Sequence, residues 1–213
     1  YYAQINRGIN RALGGLHSAR LLLYSVDFAE IEALQHKGEW QATADILIQA
    51  ARTLEMAGAD FLLIATNTMH KVAADVGAHV TIPLLHIADA TAAVLQQAQV
   101  RRIGLLGTAF TMEQAFYRER LEAQGIEVLI PNADERADVH RIIYQQLCRG
   151  EIRDDSRQRY LSIIYNLVAA GAEGVILGCT EIGLLISAEH TSVPLYDTTL
   201  IHVEAAVNQA LRD

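Results

Sequence analysis

Cysteine is nearly absent: Cys148 and Cys179 are the only two in 213 residues. Two thiols so far apart make no disulfide framework. Proline is scarcer than usual, at three residues, and glycine stops at 14, which excludes long disordered linkers. Lysine occurs only at Lys37 and Lys71, and neither stands in a recognisable pyridoxal-phosphate context. No uninterrupted apolar run reaches the roughly 18–20 residues of a membrane span. No secretory signal opens the sequence, so a reduced, cytoplasmic setting is the expectation. Positive charge is also in deficit. The net charge of −8 and pI near 5.4 argue against nucleic acid or an anionic membrane as the main partner. They do not exclude an acidic small molecule, because a site can be locally positive. The eight histidines are scattered without metal-ligand spacing, and no dinucleotide-binding or phosphate-loop glycine motif occurs. Neither metal nor cofactor is expected.

What the chain has in quantity is apolar surface, at 51% of residues, enough for one compact core or two small ones. Short apolar runs read as buried strands: Leu21–Val26, Phe61–Ala65, Ile103–Leu106, Glu127–Ile130 and Gly174–Leu177. Amphipathic stretches between them read as helices: Trp40–Met56, Met112–Gln124, Ala137–Leu147 and Arg157–Ala170. The alternation predicts an α/β protein with parallel sheets flanked by helices.

The chain also resembles itself. Ala57-Gly58-Ala59-Asp60 precedes a strand and Thr66-Asn67; Ala170-Gly171-Ala172-Glu173 precedes a strand and Cys179-Thr180. From Ala57 to Ala170 is 113 residues, and Thr66 and Cys179 keep that same offset. Gly38-Glu39 and Gly150-Glu151 recur upstream, Pro83-Leu84 and Pro194-Leu195 downstream. One such block is a common helix-to-strand turn; the combined spacing indicates a duplicated α/β unit. Two pseudosymmetric domains follow, expected as 1–83 plus 193–213 and as 84–192. The second half opens with a strand and the turn Gly107-Thr108, whereas the first opens in a helix at Tyr1-Tyr2. A strand and loop upstream of Tyr1 are therefore expected.

Ligands of open α/β sheets bind beyond the carboxyl ends of strands. Three strand ends carry small polar residues: Thr66-Asn67-Thr68, Gly107-Thr108 and Gly178-Cys179-Thr180-Glu181. Facing units would set Thr66 and Cys179 on opposite walls of one cleft. That geometry suits proton exchange at carbon, with one group removing the Cα proton and another delivering one to the opposite face. Preorganised donors must stabilise the carbanion-like transition state, and Asn67, Thr68, Thr108 and Thr180 are the candidates, holding the α-carboxylate. Cys179 is the candidate base, its thiol pKa expected to be lowered by a helix start. Glu181 either polarises Cys179 or caps the following helix. His70 either assists or is a helix residue bonded to backbone. His86, Asp197 and His202 follow strands and are weaker candidates. Cys148, in the helical pattern Ile142–Cys148, reads as structural.

Thr66-Asn67-Thr68-Met69-His70 resembles the Cys-Asn-Thr-X-His signature of the aspartate/glutamate racemase family. Gly178-Cys179-Thr180-Glu181 matches that family's second signature. The resemblance spans essentially the whole chain, with Gly107-Thr108, Pro83 and Pro194. It implies a pseudosymmetric enzyme that racemises aspartate or glutamate without pyridoxal phosphate, and an acidic amino acid as its small-molecule partner. A homodimer is expected by base rate. Thr66 replaces the family's first cysteine. This resembles the bacterial branch specific for L-aspartate and L-glutamate, and implies that the L enantiomer is favoured as substrate. Basic residues are missing where some relatives hold the side-chain carboxylate; Glu32 and Cys148 stand there. Alternatives within the fold are a single-cysteine decarboxylase of malonates, a maleate isomerase or hydantoin racemase, and a non-catalytic binder of acidic amino acids.

Overall fold

The computed structural model describes residues Tyr1–Arg212. In chain order the elements are α1 (Tyr2–Leu13), α2 (Phe28–Lys37), α3 (Trp40–Met56), β1 (Leu62–Leu63), α4 (Ala73–Gly77), β2 (Leu84–Leu85) and α5 (Ile87–Gln97). There follow β3 (Arg102–Gly107), α6 (Ala109–Glu113), α7 (Ala115–Glu122), β4 (Glu127–Leu129) and α8 (Ala133–Gln145). The chain ends with α9 (Asp154–Ala169), β5 (Val175–Gly178), α10 (Ile182–Leu185), β6 (Leu195–Asp197) and α11 (Thr198–Ala210). Short 3-10 turns at Thr68–Val72 and Leu147–Arg149 interrupt the pattern.

All strand pairing is parallel and falls into two sheets, β1-β2 and β4-β3-β5-β6. The expected α/β class with helix-flanked parallel sheets holds. The main core lies around the four-stranded sheet, where Ile103, Leu105, Val175 and Ile176 are wholly buried. A smaller one, with Ile31, Ala44, Ile48 and Leu62, lies under α2 and α3. The repeated glycines do the same work in both halves. Gly58 and Gly171 adopt φ of 89° and 103° after α3 and α9, and Gly38 and Gly150 share φ of 76°. Left-handed backbone of this kind stops a helix at little cost only in glycine.

Several expectations are corrected. Leu21–Val26 forms no strand, and Leu22 and Leu23 are exposed. Its counterpart β4 pairs only with β3, and no strand among the described residues holds the place of β3 in the first unit. Leu21–Val26 thus has no edge to bond to. Phe61–Ala65 shrinks to the two residues of β1 for the same want of neighbours. The helix expected over Met112–Gln124 is broken at Gln114, an extended residue that ends α6 and starts α7. α8 begins earlier than expected because Asn132 and Glu135 form a reciprocal capping box. β2 pairs with β1, and β6 pairs with β5, before α11 returns to pack on α1 and α5.

Candidate active site

The C-terminal ends of β1, β3 and β5 converge on one cavity of about 250 Å³. Its wall includes Thr66, Asn67, Thr68, Thr108, Cys179, Thr180 and Glu181, so all seven site residues expected from sequence are brought together. Close approach of the strands requires glycine here. A Cβ on Gly107 would lie 2.9 Å from the Gly178 carbonyl oxygen, and one on Gly178 would lie 2.8 Å from that of Leu106.

On one side, Cys179 follows β5. Its thiol donates to Glu181 Oε2 at 3.0 Å, and the Thr180 hydroxyl donates to the same oxygen at 2.7 Å. Burial, then the Glu181 carboxylate, push the Cys179 thiol well above its usual range. This reverses the expected lowering by a helix start. The helix that follows, α10, has only four residues, and the nearest full charge is negative. Of the two roles considered for Glu181, the side chain bonds the cysteine; it stands at the N-terminal position of α10 but makes no capping hydrogen bond there.

On the other side, Thr66 stands in the bend after β1, and its hydroxyl has no hydrogen-bond partner among the described residues. Its carbonyl accepts from His70 Nδ1 at 2.7 Å, while the Ile87 amide donates to His70 Nε2 at 3.2 Å. Both ring nitrogens are thereby engaged by backbone, and burial drives the His70 pKa well down. His70 is a neutral brace for the Thr66 bend. His86 caps α5, accepting from the Ala88 amide, and Asp197 caps α11. His202 donates to the Leu85 carbonyl at 2.9 Å and accepts from the Tyr1 hydroxyl at 2.8 Å. Of these four, none lines the cavity.

Three hydroxyls bridge the units: Thr68 lies 3.0 Å from Thr108 and 3.4 Å from Thr111, with Thr108 and Thr111 3.3 Å apart. The Thr111 amide also donates to the Thr108 hydroxyl oxygen. Asn67 differs: its Nδ2 donates to Thr198 Oγ1, and its Oδ1 is buried without a partner among the described residues.

Sequence reasoning missed Phe28, Gln35, Ile143 and Tyr144, which also line the cavity, and misjudged Cys148. The helix α8 ends at Gln145, and the 3-10 turn that follows delivers Cys148 to the cavity wall in place of a structural core position. Burial and Glu181 raise its pKa to about 11. Cys179 is therefore not the only thiol there. The helix-breaking Gly150 was the available signal. Gln35 was invisible as a site residue because α2 carries it from the first unit against Tyr144 of the second, 3.4 Å from its Oε1. No lysine, arginine or histidine lines this cavity. Among the described residues no cluster of histidine, cysteine and carboxylate side chains fits a metal ion, and no helix is long and apolar enough to cross a membrane.

Comparison with known proteins gives a consistent result. A candidate Asp/Glu racemase of Yersinia pestis, known by crystal structure, is 54% identical, with a TM-score of 0.92 over 100% of this chain and 93% of that one. An aspartate racemase homologue from Pyrococcus horikoshii is 36% identical, with a TM-score of 0.84 over the same shares. The broad specificity amino-acid racemase of Bacillus subtilis is 23% identical over 165 residues, 78% of this chain and 71% of that protein. Residues 1–206 match the family described as Asp/Glu/hydantoin racemase. Parallel sheets meeting at a cavity with one threonine and one cysteine at equivalent repeat positions are thus the setting of a racemase fold, and the chain belongs to the Asp/Glu/hydantoin racemase family of isomerases.

Proposed function

We propose that this chain racemises an acidic amino acid, aspartate or glutamate, without a cofactor, using Cys179 and Thr66 on opposite faces of the α-carbon. The observation that carries this reading is the shared cavity: two repeat-equivalent residues line it, and one is a thiol bonded to a carboxylate. The Cα proton is a very weak acid, so the base must be a thiolate held close to it. Cys179 rests as a thiol, and Glu181 is the acceptor that takes its proton when substrate is bound. The thiolate then removes the α-proton. The hydroxyls of Thr68 and Thr108 hold the α-carboxylate as charge develops on it. Thr66 relays a proton from a water molecule to the other face, and Glu181 gives its proton back to solvent, so that both walls are restored.

Thr66 is far less acidic than a thiol, so the two directions have unequal chemistry. Proton removal is efficient from the face that Cys179 addresses, and that face takes the L enantiomer. The equilibrium constant between enantiomers remains one, so the asymmetry appears in rates and saturation. Proton NMR in deuterium oxide, with each enantiomer of aspartate and glutamate, tests this directly. Loss of the α-proton signal is expected to be faster from L than from D, and to vanish with Cys179→Ser. Equal rates for both enantiomers, or an active Cys179→Ser, would overturn the one-thiol mechanism.

A further inference from the structure

We infer that Thr198 is a positioning residue that locks the Asn67 amide with its carbonyl oxygen left unpaired, beside the cavity that Asn67 lines, as the acceptor for the substrate's α-ammonium group. The inference deepens the racemase reading and rests on it for the identity of the ligand. It follows from counting protons along a buried chain of three groups. The Leu177 carbonyl, near the end of β5, can only accept. The Thr198 hydroxyl lies 2.9 Å from it and commits its single proton there. Its oxygen then offers only lone pairs, so the Asn67 amide atom 3.0 Å away must be the NH₂ group.

That assignment leaves Oδ1 as the free end of the amide. It is buried and has no hydrogen-bond partner among the described residues, although Asn67 lines the cavity. Asn67 is 2% exposed and Thr198 is fully buried, so bulk water does not compete for the chain of bonds. A buried carbonyl left without a donor is unfavourable, and a ligand that brings N–H to it is rewarded. A carboxylate at this point would set acceptor against acceptor. An ammonium brings three donors. The expected role of Asn67 as a carboxylate donor therefore passes to the Thr68 and Thr108 hydroxyls, and the cavity acquires a polarity. The end of the cavity at Asn67 reads amine; the hydroxyl end reads carboxylate. The device spans the repeat: Asn67 belongs to the first unit, whereas Leu177 lies in the second sheet and Thr198 opens α11, 131 residues away from Asn67.

The consequence is discrimination between an amino acid and the same skeleton without its amine. The test measures binding of L-aspartate and of succinate by calorimetry to wild type, Thr198→Val and Thr198→Ser. Wild type is expected to prefer L-aspartate. Valine keeps the shape but frees the amide to turn its NH₂ to the cavity, so the aspartate-to-succinate affinity ratio is expected to fall about 10-fold. Serine restores the hydroxyl and is expected to hold the ratio within about 3-fold. A purely structural role would weaken both ligands alike, and an unchanged ratio in folded Thr198→Val overturns the inference. Deuterium exchange at the α-carbon is scored separately. Aspartate bound without exchange refutes the racemase reading and leaves the ratio to judge Thr198. Should Thr198→Val not fold, or should neither probe bind, the side-chain amide protons of Asn67 decide in ¹⁵N-labelled wild type, assigned by their loss in Asn67→Asp. Slow exchange with solvent supports the lock. Exchange as fast as that of the exposed Asn208 overturns it.

Discussion

Acid should destabilise this protein through its buried histidines before its carboxylates titrate. His70 and His86 have ring centroids 4.4 Å apart, and His70 and His202 5.9 Å apart. All three rings are buried and accept or donate to fixed neutral partners. Burial depresses both His86 and His202 from 6.5 to about 4, and Arg120 adds to the effect at His86 against the opposing pull of Asp89. A group whose folded pKa lies below its unfolded value binds more protons when unfolded. Its neutral, buried state costs nothing above about pH 7.5, and stability is lost as pH falls from the unfolded value toward the folded one. Between about pH 7.5 and 5.5 each of these two histidines should remove about 1.3 kcal/mol. Together that is about 2.6 kcal/mol, with His70 pulling the same way, against a total stability of about 5–15 kcal/mol. Urea unfolding at the two pH values reads the change. With a slope of about 2 kcal/mol/M, the midpoint should drop by about 1.3 M at the lower pH. His202→Gln, which keeps a donor for Leu85, should shrink that drop by about 0.65 M, the share of one histidine. A midpoint that moves by less than about 0.3 M, or a full acid shift in His202→Gln, would refute the claim that these imidazoles are held neutral by burial.

Three further outcomes are expected. Glu181→Gln removes the negative charge that raises the Cys179 pKa; alkylation at about pH 8 should speed up roughly 10-fold while α-proton exchange falls, since the proton acceptor is gone. Mass-spectrometric mapping of labelled Cys179 beside exchange kinetics checks both, and slower labelling would contradict the charge argument. Thr66→Cys places a second thiol at the repeat-equivalent position and should raise D-aspartate turnover by about 10-fold or more, measured by polarimetry; no gain would remove Thr66 from the proton path. Gly107→Ala should cost about 1–3 kcal/mol in urea titration, because its Cβ meets the Gly178 carbonyl oxygen at 2.9 Å; a neutral result would mean that β3 and β5 can part.

The linear chain was enough to determine the repeat, the parallel α/β class and the strand ends that carry polar residues. Each rests on a local rule: glycine in left-handed backbone stops both copies of the helix, and apolar runs of strand length alternate with helical periodicity. These rules hold whatever the distant neighbours are, and so Thr66 and Cys179 were legible as partners from their common spacing alone.

Whatever depends on a neighbour far along the chain was decided by tertiary structure. Leu21–Val26 has strand composition but no edge to pair with. Cys148 is turned to the cavity by the 3-10 step after α8, and Gln35 reaches Tyr144 only because α2 crosses to the second unit. The Cys179 pKa follows burial and the Glu181 charge rather than a helix terminus four residues long. Above all, no sequence rule says which end of the Asn67 amide is free. That is set by where the single proton of Thr198 goes, and the answer required the Leu177 carbonyl to be 2.9 Å away on another strand. Hydrogen-bond polarity is a property of a closed chain of donors and acceptors, and folding is what closes it.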